Sequence, residues 1–124
     1  MLRFLLDEQI STEVAGGPRR RDLSLWVRSL AEWEEGRYLA EPDWMLLQDA
    51  AKQGLTLVTY DRATIPPVLK AWGEGGKRHG GVVFVDQKTI QSSDFGCLIR
   101  ALLKLHEETS TWDWQDRVII LRRG

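Results

Sequence analysis

The chain has 124 residues and a mass of 14.2 kDa, the size of one domain, so a single domain spanning 1–124 is expected. Its 43% hydrophobic and 28% charged residues are those of an ordinary globular chain, which excludes collagen-like, coiled-coil and disordered classes. Lys+Arg 17 against Asp+Glu 18 gives a net charge of −1, which excludes a generic polycationic binder of nucleic acid. It does not exclude acids gathered in one place and bases in another.

In chain order, Leu2–Leu6 reads as a short buried strand, apolar and cut off by Asp7-Glu8. A short helix is expected over Ile10–Ala15, ending at the breaker Gly16-Gly17-Pro18 and the basic run Arg19-Arg20-Arg21. Leu23–Val27 is β-like. Asp43, Leu46, Leu47, Ala50 and Ala51 share one face of a helix, with Gly54 just past its end as a stop. Asp43 is thereby expected to face inward and Asp49 to face solvent. Leu55–Tyr60 is the third strand, Val68–Trp72 a further helix, and Gly81–Val85 the fourth and clearest strand. Phe95, Leu98, Ile99, Leu102, Leu103 and His106 mark a longer helix with Ser92 or Ser93 as its N-cap, and Arg117–Leu121 is a fifth strand. Segments 16–22, 34–42 and 73–80 read as loops.

Strands that are apolar throughout and alternate with helices indicate a parallel sheet covered on both faces. The expected class is α/β, a three-layer α/β/α arrangement with a mainly parallel sheet of about five strands. The single Cys97 excludes a disulfide framework and a cysteine-rich zinc site. The apolar start Phe4-Leu5-Leu6 is too short for a leader or a membrane span, so a soluble, cytoplasmic protein with no membrane partner is expected.

In open α/β sheets, ligands bind beyond the carboxyl ends of the strands. Asp7 and Glu8 follow the first strand, Asp61 the third and Asp86 the fourth, and Asp43 opens a helix on its apolar stripe. Carboxylates converging at one sheet edge repel one another unless a cation neutralises them. An oxygen-only donor set suits Mg²⁺ or Mn²⁺, ions that activate water for phosphodiester hydrolysis. Plainer roles compete: Asp43 as a helix N-terminal acid, Asp61 as a cap, Asp86 as a turn residue and Glu8 as a solvated partner of an Arg. Asp7 resists such a role best, because a charge closing a buried strand needs a partner or a metal.

These residues resemble the PIN-domain superfamily, in particular its short PIN-like branch. The resemblance lies in Leu5-Leu6-Asp7-Glu8, in Asp43 opening a helix that ends Ala50-Ala51, and in Leu57-Val58-Thr59-Tyr60-Asp61. It implies a Mg²⁺- or Mn²⁺-dependent endoribonuclease and, as for many members of that superfamily, the toxin of a toxin–antitoxin pair with a cognate antitoxin as partner. Asp7, Asp43 and Asp61 would hold the metal and orient water, with Glu8 as a candidate further ligand. Two departures stand out. The acid usual before the second helix has no counterpart beyond Glu8 or Glu41, and Ala63 stands where many relatives carry a second acid. These departures motivate an alternative, a PIN-like scaffold that binds RNA or protein without cutting.

Arg62, beside Asp61, and Thr59 are candidate substrate contacts, as are Arg20, Lys77 and Arg78 from the basic clusters. Trp33 and Trp44 lie near the expected acidic edge, where stacking on RNA bases or a homodimer or antitoxin surface competes with core packing, the default for most of the tryptophans. His79 reads as a flexible loop residue and His106 as a core histidine. A more distant alternative is a phospho-accepting receiver-like domain, which shares the acids after strands one and three. Such a domain needs a Lys after strand five, where this sequence has Leu121-Arg122-Arg123-Gly124.

Overall fold

The computed structural model describes residues 2–21, 25–39 and 41–123, with the side chains of 18–21 outside that set. Strands β1 (Arg3–Leu6), β2 (Trp26–Ser29), β3 (Thr56–Thr59), β4 (Val82–Val85) and β5 (Val118–Leu121) form one sheet in the order β2-β1-β3-β4-β5, every pair parallel. Helices α1 (Thr12–Arg21), α2 (Asp43–Lys52), α3 (Ile65–Glu74) and α4 (Phe95–Thr109) cover it.

Alternation along each strand divides the core in two. Phe4, Leu6, Val27, Val58, Val83 and Val85 pack on one face with Val14 and Ala15 of α1 and Leu98 and Leu102 of α4. Leu5, Leu57, Val82 and Phe84 pack on the other with Leu46, Leu47 and Ala50 of α2 and Ile65 and Trp72 of α3. Strands β3 and β4 are buried at every position, which is why β4 is an unbroken apolar run and β3 carries Leu57-Val58 between two buried threonines. The expected three-layer α/β architecture is therefore present.

Several expected elements shift. β2 lies further along than Leu23–Val27, and Leu23 and Ser24 fall outside the described residues. α1 runs straight through Gly16-Gly17-Pro18 instead of stopping there. The reason is tertiary: a Cβ on Gly17 would stand 2.3 Å from Ile99 Cδ1, so the glycine lets α1 sit close against α4. α3 starts earlier than Val68, with Pro66 and Pro67 in a first turn whose N–H groups have no helical acceptor in any case. α4 is capped by Asp94, whose Oδ1 accepts from Cys97 N at 3.1 Å, and not by Ser92 or Ser93.

Between β2 and α2 a 3-10 turn, Trp33–Gly36, contains Glu34 and Glu35 at φ 51° and 59°. This left-handed backbone costs roughly 1–2 kcal/mol per non-glycine residue. Trp33 offsets it by burying itself against Tyr38, the two rings stacked at 4.7 Å. Trp33 is thus core. Asp49, expected to face solvent, is partly covered and accepts the Tyr38 hydroxyl.

His79 is also no loose loop residue. It is buried, and its Nδ1 accepts from Gly81 N at 3.1 Å, while Asp116 brackets its backbone through His79 N–Oδ1 at 3.0 Å and Asp116 N–His79 O at 2.9 Å. Gly81 needs its φ of 101° and its bareness, since a Cβ would lie 2.8 Å from Trp114 O. His106 is half-buried on α4, as expected.

Two outcomes follow from this packing. Gly17→Ala should destabilise the fold by about 1–2 kcal/mol in urea unfolding, and by less in an Ile99→Ala background; a gain in the single variant would contradict the contact. Burial holds the His79 pKa below its usual 6.5, with the Asp116 charge opposing, so the folded state keeps the ring neutral. The unfolded chain then takes up the proton first as pH falls. Stability is complete above pH 6.5 and declines below it. In His79→Gln that part of the pH dependence should vanish from thermal melts recorded between pH 7.5 and 5.

Candidate acidic site at the carboxyl edge of the sheet

Because every strand runs the same way, all five end at one edge, and the helices that return to the next strand begin there. The order β2-β1-β3 reverses direction between β1 and β3, and ligand crevices in open α/β sheets open at such a reversal. Asp7 follows β1 directly, and Asp61 follows β3 by two residues. Asp43 is the first residue of α2, and Thr64 stands at the N-cap position of α3, its side chain making no cap hydrogen bond. The positive ends of two helix dipoles thus lie among these acids and offset part of their mutual repulsion.

Asp7 is only 7% exposed. Its Oδ2 accepts from Thr59 Oγ1 at 2.7 Å and its Oδ1 from Glu8 N at 2.8 Å, while its own N–H donates to Val58 O at 2.9 Å. Thr59 Oγ1 in turn accepts from Asp61 N at 2.9 Å, so one hydroxyl links the ends of β1 and β3. Burial pushes the Asp7 pKa up; the Thr59 and Glu8 hydrogen bonds oppose this, the charges of Asp43 and Asp61 add to it, and the net direction is upward. Among the described residues no Lys or Arg forms an ion pair with Asp7.

Asp61 is held by its own turn. Oδ1 accepts from Ala63 N at 2.9 Å and from Thr64 N at 2.8 Å. The cap role expected for Asp61 is displaced, since the N-cap position of α3 falls at Thr64; Asp61 instead holds the turn before the helix, and its carboxylate has a second engagement beyond that turn. Thr64 Oγ1 contacts Asp61 Oδ2 and also Asp43 Oδ2, the latter at 2.7 Å. A hydroxyl carries one proton and serves one acceptor fully at a time. Two carboxylates converging on it leave a demand for positive charge. Burial alone would raise the Asp61 pKa, but the Thr64 hydroxyl and the two backbone N–H groups outweigh it, so Asp61 stays ionised further into acid.

The donor chemistry is oxygen-only, as a hard divalent cation requires. Among the described residues, however, no group of three or more His, Cys, Asp or Glu side chains is placed to hold a metal ion. The described residues thus form no closed protein cage; an ion here would have one or two carboxylates and would need water to complete its shell, as Mg²⁺ usually does.

The remaining candidates divide by edge. Glu8 is exposed beside Asp7, and Arg62 is exposed beside Asp61. Thr59 is fully buried, so it positions Asp7 and offers no surface to a substrate. Lys77 and Arg78 precede β4 and so lie at the opposite, amino edge of the sheet. There Lys77 sits over the Trp72 ring at 5.7 Å and Arg78 pairs with Asp116 at 3.7 Å. Arg20 lies in the last turn of α1, which leads to the start of β2, and its side chain is outside the described residues. Asp86 makes a turn, accepting from Lys88 N at 3.2 Å, and pairs with Arg122 at 3.6 Å. Trp44, next to Asp43, is 46% exposed. Thr64 was invisible to a search for acids; its signal was a Thr three residues after Asp61, immediately before an apolar helix.

A raised Asp7 pKa means that its ionised form costs stability above the ordinary value of 3.8, and the cost is largest at neutral pH. Asp7→Asn should therefore raise the melting temperature at pH 7, with the advantage shrinking as pH falls toward 3.8. A variant less stable at pH 7 by the same margin as at low pH would contradict the burial argument.

Comparison with family models, with curated proteins and with solved structures returned no match to this chain.

Proposed function

We propose that the protein is a Mg²⁺- or Mn²⁺-dependent endoribonuclease of PIN type, with Asp7, Asp43 and Asp61 as its acidic centre. The observation that carries this reading is the convergence of Asp43 and Asp61 on the single Thr64 hydroxyl, beside a buried Asp7 that no cation pairs with among the described residues. An acidic cluster of this kind is costly unless a cation is its working partner. Its place at the β1/β3 reversal supports the same reading. When bound, the ion would supply an activated water and steady the leaving oxygen. Asp61, kept ionised by its turn, would hold it, with Asp7 or Asp43 as the second carboxylate and Glu8 exposed nearby. Thr59 would position Asp7, and Arg62 would meet a phosphate. A cytoplasmic location and a cognate antitoxin belong to this proposal as well; no helix among the described residues is long and apolar enough to cross a membrane.

A second reading, a PIN-like scaffold that binds RNA or a protein without cutting it, is favoured by two observations. Ala63 stands in the place of a second acid, and no three-acid group closes among the described residues.

Cleavage of a labelled single-stranded RNA with Mn²⁺ separates the two. The nuclease reading expects cleavage that EDTA stops, that Asp61→Asn abolishes, and that Thr59→Val lowers by roughly 10–100-fold through misplacement of Asp7. Equal cleavage by wild type and Asp61→Asn would mark a contaminant. Manganese-independent RNA binding without cleavage would support the scaffold.

A further inference from the structure

On the other side of the same sheet edge, over the carboxyl ends of β3 and β4, lies a cavity of about 400 Å³. Tyr60 and Val85 line it together with Arg62, Asp86, Gln87 and Lys88. Val85 is fully buried in the layer shared with α1 and α4, and the half-buried Tyr60 packs against that layer. The Tyr60 hydroxyl donates to Ile90 O at 3.1 Å, which fixes the plane of the ring. The accessible part of the floor is therefore the Tyr60 ring, held in place by its hydroxyl. The rim is polar: Arg62, Gln87 and Lys88 are all exposed, and among the described residues neither Arg62 nor Lys88 forms an ion pair. The one acid of the cavity, Asp86, is already paired with Arg122 at 3.6 Å and accepts from the Lys88 backbone. The site thus combines a surface for a flat ring with two free cations and an amide able both to donate and to accept.

We infer that this cavity binds one nucleotide of an RNA strand, its base against the Tyr60 ring and its phosphate between Arg62 and Lys88. An aromatic floor binds a base by stacking and is tolerant of which base it is. Cations at the rim recognise phosphate whatever the sequence. Arg62 adjoins Asp61 in the chain, so a strand crossing the sheet edge would present one phosphate to the acids and its neighbour to this cavity. The inference rests on the nuclease reading for its choice of RNA, but its test does not depend on cleavage.

The test is an NMR titration of the ¹⁵N-labelled full chain in EDTA at low salt, with adenosine 5′-monophosphate, adenosine, inorganic phosphate and an adenylate tetramer as separate probes. The mononucleotide should shift the backbone amides of Tyr60, Gln87 and Lys88, and should bind about tenfold more tightly than adenosine or phosphate alone. The tetramer should bind more tightly still. Arg62→Ala and Lys88→Ala should each weaken mononucleotide binding several-fold, on the scale of one charge-assisted contact; both positions are exposed, and the spectrum itself reports whether each variant is folded. Shifts confined to other residues, phosphate binding as well as the mononucleotide, or variants that bind like wild type would each overturn the site. A tetramer no tighter than the mononucleotide would overturn the assignment to an RNA strand. Because no metal is present, failure here leaves the cleavage result standing, and failure of cleavage leaves this binding to be judged on its own.

Discussion

The hydrogen bond from Thr59 Oγ1 to Asp7 Oδ2, 2.7 Å long and buried between the ends of β1 and β3, is the constraint on which the acidic edge depends. It ties β1 to β3 at the point where the strand order reverses, and through Asp61 N it sets the start of the turn that carries the next acid. Without it, a carboxylate that is 7% exposed would have only the Glu8 N–H to replace lost water. Buried charge is tolerated only where hydrogen bonds or counter-charge replace solvent. Here hydrogen bonds supply part of that replacement, and the like charges of Asp43 and Asp61 work against it.

The rest of the edge follows from parallel topology. A helix returning from the carboxyl edge begins at that edge, so α2 and α3 bring Asp43 and Thr64 to the acids of β1 and β3 without any long loop. Thr64 then gathers Asp43 and Asp61 around one hydroxyl. The opposing basic residues Lys77 and Arg78 sit at the far edge for the same topological reason: they precede a strand instead of following one. The cations that do reach the acidic edge, Arg62, Lys88 and Arg122, follow β3, β4 and β5. A net charge of −1 therefore averages over two edges of different character.

Much of this was legible in the chain. The unbroken apolar runs at Leu57-Val58 and Val82–Val85 report burial on both faces, and a parallel sheet follows from that. The stripe Asp43, Leu46, Leu47 and Ala50 marked the buried face of α2, although Asp43 at its start is only half-buried. What was not legible depended on distant partners. The breaker Gly16-Gly17-Pro18 stays helical because Ile99, far along the chain, needs the space at Gly17. His79 reads as a loop residue until Gly81 and Asp116 are seen to hold it. Asp49 faces outward by periodicity alone, yet Tyr38 reaches across to it. Thr59 and Thr64 act through hydroxyls whose acceptors lie 52 and 21 residues away. Local pattern cannot disclose such pairs, and the positioning of the acids rests on them.

The central claim is that these carboxylates share a divalent cation, and a crystal structure grown with Mn²⁺, with anomalous data collected near the manganese edge, tests it most directly. One anomalous peak is expected at the carboxyl edge of β1 and β3, with Asp61 and at least one of Asp7 and Asp43 as ligands and the Thr64 hydroxyl withdrawn from one of its two acceptors. Manganese absent from this edge at saturating concentration, or bound only elsewhere while Asp43, Thr64 and Asp61 keep their present contacts, would contradict it.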